Sequence, residues 1–487
     1  MLLLGTHADS GKGLIEVNKP DILYHTAIIG QSGSGKSYFL SRYIEEIVLK
    51  TKARIIIIDP NGDFAHFYIE EDSKHWDSSF YKPLLSSLHS GTSDTNVGLD
   101  SFGAFKSAWS KRTFHVLSAG RRLRITPRNG TLLAPLQIHW KWLEWEQDFL
   151  LDVDQTKAAH LYQGINTCIK FANDSANYPQ GFSLEDLEDI ALDFGTKKLP
   201  VGMWPEALIL SEADWLSVRV HFRQLRKRFS ALWYRGRLQG RTSVPNDLNN
   251  YIYNGFRWDA WQVLVAGLSG LDVNHMLLAA NVALNQSWTL AVRSWQMARR
   301  KQSNELETRE LENLTKNFQN FEKDESEIED EQDTNEQNIF QDDDEFWGDK
   351  RVPTFIIIDE AHNFAPEEPS SALQKRVSDR IATIAAEGRK YGLFVVLATQ
   401  RPQKLRRGLL SECENSSILR LQSRIERSHA AEMLGIPLET VEHVGAYETG
   451  SALLQGRWVP APMKVRFAPA RTVLGGGGLD KKYWLNP

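Results

Sequence analysis

The run Gly30-Gln31-Ser32-Gly33-Ser34-Gly35-Lys36-Ser37 combines pliable backbone, one cation and one hydroxyl at the spacing that holds a nucleotide's phosphates. It satisfies the P-loop pattern G-x-x-x-x-G-K-[ST]. The apolar run Thr26-Ala27-Ile28-Ile29 precedes it and an apolar-periodic stretch follows, the strand–loop–helix context that gives this motif its meaning. The glycines let consecutive N–H groups turn inward around phosphate oxygens, and the following helix presents its positive end to the same anion. Lys36 is expected to reach the β- and γ-phosphates and Ser37 to ligate Mg²⁺. Gly30, Ser32, Gly33, Ser34, Gly35 and Tyr38 complete the expected nucleotide-binding set. The alternative is a Gly/Ser-rich turn that binds nothing, which eight matching positions in the right context disfavour.

Binding alone is not hydrolysis. The apolar run Thr354–Ile358 ends in Asp359-Glu360. Asp359 is placed to hold the metal through water, and Glu360 to polarise an attacking water as general base. Two acids at a surface strand end are the plainer reading. Gln400 ends the run Leu393–Gln400, where it would sense the γ-phosphate or orient the water; a structural amide is its alternative. An arginine from a neighbouring subunit can stabilise the charge that spreads over the transferred phosphoryl group. Arg389 is the first candidate and Arg420 the second, with a surface salt bridge the alternative for either.

The stretch Arg219–Arg241 carries eight Lys or Arg residues, no acid, and interleaved Phe, Trp and Tyr. It suits phosphate contacts plus stacking on bases, or equally a basic helix docking on a partner or subunit.

The elements that must position these groups follow from apolar patterning. Ala53–Asp59, Trp261–Ser269, Thr354–Ile358 and Leu393–Gln400 are nearly unbroken apolar runs, the mark of strands buried on both faces of a parallel sheet. Shorter strands are expected at Thr113–Leu117, Leu123–Thr126 and Ile418–Leu421, and a hairpin at Ser451–Leu454 and Met463–Phe467. The turn Pro60–Phe64 lies at a strand's carboxyl end, where α/β proteins place their chemistry. Alternating strands and helices imply an α/β fold with a mostly parallel sheet covered on both faces. The expected division is a first core part at 1–133, a Trp-rich, mainly helical insertion at 134–254, and core continued at 255–302 with a long helix near Asn274–Arg300. An acidic insert follows at 303–350, read as disordered or partly helical, and the core is completed at 351–487. The two dozen residues before the first strand are too few for an N-terminal domain.

Cys168 and Cys413 are too few for a disulfide framework or thiolate metal site, and no run of apolar residues reaches membrane-spanning length. A cytoplasmic protein with no membrane contact is expected. The formal charge of −5 is misleading, because residues 322–345 hold 13 acids and one lysine, leaving the remainder near +7. A solvated spacer is the favoured reading of that segment, and an acidic mimic of DNA in a basic groove the sharper one. Composition neither demands nor excludes a nucleic-acid partner.

Taken together, Gly30–Ser37, Ile58–Phe64, Asp359–Phe364, Glu387–Gly392 and Ala398–Pro402 resemble the HerA/FtsK superfamily of P-loop ATPases, closest to the HerA branch. The stretch Leu264–Leu271 also looks like that family's strand before the helix that precedes Asp359. The resemblance covers about 22–130 and 255–470. It implies a RecA-like core using ATP and Mg²⁺, a homo-hexameric ring with sites between subunits, and duplex DNA in the pore. Gln400 would be the sensor and Arg389 would act in trans. HerA proteins usually begin with a small β-barrel that engages a nuclease, and there is no room for one before Thr26. The leading expectation is a DNA-dependent motor ATPase working with a nuclease or other effector, in DNA processing or antiphage defence. The alternative is an ATP-gated scaffold ring that holds an effector without moving DNA; a conjugation-type secretion ATPase ranks third.

Overall fold

A computed structural model describes residues 1–8, 14–70, 102–119, 124–125, 131–139, 158–174, 177–178, 182–199, 210–233, 247–319, 352–468 and 470–475. Its centre is one sheet of thirteen strands. In chain order these are β1 (Leu2–His7), β2 (Leu14–Val17), β3 (Thr26–Ile29), β4 (Arg54–Asp59), β5 (Phe114–Ser118), β6 (Arg124–Ile125) and β7 (Leu132–Pro135). There follow β8 (Val263–Gly267), β9 (Thr354–Ile358), β10 (Leu393–Thr399), β11 (Asn415–Leu419), β12 (Ser451–Gln455) and β13 (Met463–Phe467). The order across the sheet is β2-β1-β13-β12-β11-β3-β10-β9-β4-β8-β5-β7-β6.

Eight strands, from β11 to β7 across the sheet, run parallel. At one end β12, β13, β1 and β2 add an antiparallel meander, and at the other β6 turns back on β7. The expected hairpin is β12–β13. The N-terminal residues form no separate unit: β1 pairs with β13, joining the two chain ends in the sheet. Sequence patterning missed this because β1 reads only as a short apolar run with no partner in sight.

The unbroken isoleucines of β4 are explained by two cores. Ile55 and Ile57 enter one, Ile56 and Ile58 the other, because successive side chains leave opposite faces. On one face lie α1 (Lys36–Lys50) and α2 (Phe102–Trp109), with Phe39, Tyr43, Phe105 and Trp109 buried. The other face carries α3 (Ala159–Asn173), α4 (Leu184–Gly195), α5 (Glu212–Arg228), α6 (Leu248–Trp258), α7 (Val273–Gln319) and α8 (Ala372–Glu387), followed along the chain by α9 (Arg424–Leu434). Ser183 and Ser211 cap α4 and α5 through reciprocal bonds with Asp186 and Asp214, which fixes where these helices begin.

Three boundaries differ from the sequence expectation. α7 continues past Arg300 to Gln319, because good helix formers extend it after the apolar stripe ends. Phe102–Trp109, for which no element is expected from the sequence, is helical and buries Phe105 and Trp109. β11 begins at Asn415 rather than Ile418, its small polar residues buried within the sheet. The acidic residues 320–350, the tail after Gly475, Arg235–Arg241, and the residues 123 and 126 that flank β6 lie outside the described residues.

A nucleotide-type site at the carboxyl edge of the sheet

The parallel strands β3, β4, β9 and β10 all end at one edge, and each delivers one part of the site there. β3 leads into the Gly30–Ser37 loop, where Gly33 and Gly35 take φ values of +73° and +97°. Only glycine adopts these cheaply, and Gly35 has a second reason: an added Cβ would lie 3.0 Å from the Phe467 ring. Gly35 caps α1, so the helix's positive end opens into the loop. Ser32 and Gly33 are exposed, Ser34 and Lys36 buried, and Tyr38 stands exposed on the first turn of α1.

Asp359 follows β9 and sits beside Asp59 at the end of β4, since Ile58 and Ile358 are register partners. Both acids are fully buried. The Lys36 ammonium is paired with Asp359 and lies 3.2 Å from Glu360 Oε1. Burial alone would lower the Lys36 pKa; the two carboxylates outweigh it and hold it above the ordinary value. Glu360 has a left-handed backbone (φ +47°), a conformation rare for a non-glycine residue, which turns the chain sharply out of the strand. Gln400, just past β10, donates from Nε2 to Glu360 Oε1 at 2.5 Å. His362 Nδ1 lies 3.0 Å from Thr399 Oγ1 and 3.4 Å from Glu360 Oε2.

Ser37 Oγ donates to Asp63 Oδ2 at 2.7 Å. Asp63 belongs to the turn after β4, which Asp59 organises by accepting from the N–H groups of Gly62 (2.8 Å), Asp63 (3.1 Å) and Phe64 (2.9 Å). Burial, with Asp359 and Asp63 nearby, outweighs these donors and pushes the Asp59 pKa to about 7. Sequence reading located this turn at the active edge but assigned neither Asp59 nor Asp63 a role. The available signal was the pair of acids four residues apart around Pro60-Asn61-Gly62.

The two candidate arginines part company. Arg420, just past β11, donates from Nη2 to Gly33 O at 3.5 Å, and its own carbonyl accepts from Gln31 N–H at 3.0 Å. It therefore lies on its own P-loop, as does Thr449, whose hydroxyl donates to Gly33 O at 3.3 Å. Arg389 precedes β10, at the opposite edge of the sheet, where it pairs with Glu414 and stacks on Tyr24 at 4.3 Å. Of the basic stretch, Arg223 and Arg226 form ion pairs with Glu188 at 3.3 and 3.0 Å, Arg226 also pairs with Glu185, and Arg228 donates to Asn274 at 3.0 Å.

The donor set fits a Mg²⁺–nucleotide complex. Asp359 Oδ2 is buried without a hydrogen-bond partner among the described residues, and the Ser37 hydroxyl is already turned toward the Asp63 carboxylate. Hard oxygen donors of this kind, few in number, suit a magnesium ion that takes its remaining ligands from phosphate and water.

Fold and site thus define an α/β P-loop NTPase. Comparison with known proteins narrows the class. Residues 4–197 match the family described as helicase HerA, central domain. A probable helicase of Methanocaldococcus jannaschii is 33% identical over 125 residues, covering 26% of this chain and 23% of that protein. The DNA double-strand break repair helicase HerA of Pyrococcus furiosus is 32% identical over 130 residues, covering 26% and 22%. Among solved structures, VirB4 of Thermoanaerobacter pseudethanolicus superposes with a TM-score of 0.46 at 14% identity, covering 96% of each chain. Over these segments the chain is similar to the HerA-like branch of the HerA/FtsK superfamily of P-loop ATPases. The matched segments span about a quarter of the length of these curated relatives.

Proposed function

We propose that this chain hydrolyses ATP and uses the cycle to act on DNA, as one subunit of a homo-hexameric ring. The observation that carries the reading is the convergence of Lys36, Ser37, Asp359, Glu360 and Gln400 at one edge. The Gly30–Ser37 backbone, with Tyr38 beside it, would hold the phosphates, and Lys36 would exchange its carboxylate partners for phosphoryl oxygens. That exchange frees Glu360 to accept a proton from the attacking water, while Gln400 fixes the carboxylate's direction. Ser37 and, through water, Asp359 would hold Mg²⁺, which neutralises charge developing on the phosphates. Arg389 lies away from its own site and would serve a neighbouring subunit's.

In this reading the helices between β7 and β8 form an insertion that engages a nuclease or other effector, and the protein is cytoplasmic. Among the described residues no helix is long and apolar enough to cross a membrane. A role in DNA processing or antiphage defence belongs to the same proposal.

One observation favours the second reading, an ATP-gated scaffold. Arg223 and Arg226 of the basic stretch are bonded to Glu185 and Glu188, which lowers what α5 offers a DNA backbone. Steady-state ATP hydrolysis with and without linear duplex DNA separates the two, using Lys36→Ala and Glu360→Gln as controls. Strong stimulation by DNA that weakens with salt supports the motor. Hydrolysis indifferent to DNA supports the scaffold, and hydrolysis unchanged in both variants overturns the site.

A further inference from the structure

The chain's last described residues do more than close the sheet. After β13, the segment Ala470–Gly475 crosses back over α1 and along the turn that carries Asp63. On the α1 side, Glu45 Oε1 accepts from Arg471 N–H (2.7 Å), Thr472 N–H (2.9 Å) and the Thr472 hydroxyl (2.7 Å). The Arg471 guanidinium adds Nε to Glu45 Oε2 at 3.2 Å and Nη2 to Glu46 Oε1 at 2.8 Å. All four side chains are buried. Arg42 also bonds Glu46, at 2.8 Å, and β1 joins through Leu3 N–H to Glu46 Oε2 at 2.9 Å.

On the turn side, Thr472 forms an antiparallel bridge with Glu70, Val473 N–H donates to Ile69 O at 2.9 Å, and Gly475 N–H donates to Asp63 O at 2.7 Å. The same six residues therefore grip the helix that begins with Lys36-Ser37 and the turn that supplies Ser37's hydrogen-bond partner. Asp59 holds the inner side of that turn; the segment holds its outer side.

We propose that residues 470–475 are a positioning strap that sets Asp63 against the Ser37 hydroxyl and so fixes the geometry of the metal–nucleotide site. The inference rests on the ATPase reading above and adds a control element to it. Ser37's oxygen can turn its lone pairs to a metal only while its proton is directed elsewhere, and Asp63 is what directs it. A shift of the turn by a few tenths of an ångström lengthens that 2.7 Å bond and lets the hydroxyl rotate.

Gly475 gives a test that leaves the site's own side chains and the buried Glu45–Arg471 network intact. A Cβ at this position would lie 2.4 Å from Gly62 O, so Gly475→Ala must displace the strap or the turn beside Asp63. The full chain, its Gly475→Ala and Asp63→Asn variants and the double variant are titrated with Mg²⁺, reading fluorescence of a bound non-hydrolysable ATP analogue. Metal-free binding of the analogue and melting temperature are recorded alongside. Each single variant is expected to raise the Mg²⁺ midpoint about tenfold, the scale of losses when a ligand's supporting partner is removed. Metal-free binding should hold, and the double variant should lose no more than Asp63→Asn alone. A Gly475→Ala midpoint at the wild-type value, beside a shifted Asp63→Asn, overturns the strap. A wild-type chain that binds no nucleotide overturns the ATPase reading itself, a distinguishable failure. Should Gly475→Ala melt far below wild type, Thr472→Val loosens the other grip, and the same midpoint decides.

Discussion

Gln400 and Glu360 are joined at the carboxyl edge of the sheet, the amide Nε2 donating to the carboxylate Oε1 at 2.5 Å. Glu360's left-handed backbone throws its side chain toward the end of β10, and Gln400 is the first residue beyond that strand. In the proposed ATPase the pair would serve as a sensor: a phosphate that drew the amide away would also change the direction of the Glu360 carboxylate.

Two substitutions separate the pair's roles. Glu360→Gln removes the base and is expected to lower kcat by about 10²–10⁴, the usual contribution of a positioned proton acceptor. Gln400→Ala removes only the orienting bond and should cost less, about tenfold to a hundredfold, with nucleotide affinity near wild type in both. Steady-state kinetics beside equilibrium binding of a fluorescent nucleotide checks this; loss of affinity equal to the loss of rate would assign Gln400 to binding instead.

Lys36 has a structural role besides its proposed contact with phosphate. It lies between two buried carboxylates, and Lys36→Ala leaves Asp359 and Glu360 facing each other without a counter-charge. Breaking a buried pair costs about 3–5 kcal/mol. Urea unfolding of wild type and variant, without nucleotide, tests this.

His25 should contribute to acid sensitivity. It is buried, its Nδ1 accepts from Val395 N–H at 3.0 Å, and burial with Arg389 nearby lowers its pKa to about 4. A folded pKa below the unfolded value of 6.5 means that the stabilisation is complete above pH 6.5 and is lost as pH falls toward 4. The full loss is about 3 kcal/mol at 1.36 kcal/mol per unit. His25→Asn keeps an acceptor for Val395 but cannot be charged, so its stability should fall less between pH 6.5 and 4. Parallel unfolding curves for the two proteins across that window would argue against it.

The site's centre was legible because its chemistry is local. A P-loop is eight consecutive residues, and Asp359-Glu360 end an apolar run that marks a strand. The parallel sheet was legible for the same reason, its strands being buried on both faces. What spacing could not show was relation across the chain. Asp63 meets Ser37 from 26 positions away, and Arg471 meets Glu45 from 426. The Glu45–Arg471 network also looks, in sequence, like an ordinary charged helix face on α1. The C-terminal segment and β1 together supply the buried partners of Glu45 and Glu46. Arg389 and Arg420 were indistinguishable as sequence, and topology separates them: one precedes a strand and the other follows one.

That separation yields a test of assembly. From Leu393 to Thr399, β10 spans about 20 Å at roughly 3.3 Å per residue. Arg389 stands before its start and the P-loop beyond the end of its neighbour β3. Arg389 therefore cannot reach the phosphates of its own chain, and a catalytic role requires a second copy. Lys36→Ala and Arg389→Ala proteins should each be nearly inactive alone. Mixed at equal amounts and allowed to exchange subunits, they should recover activity, because a site with intact Lys36 then meets a neighbour with intact Arg389 at about a quarter of random interfaces. Arg389→Lys keeps a cation for Glu414 and should remain low in rate, since a point charge does not reproduce the guanidinium fork. Mixtures no more active than their separate components, with exchange verified by labelled subunits, would assign Arg389 to the Glu414 and Tyr24 contacts alone and leave Arg420 as the arginine of the site.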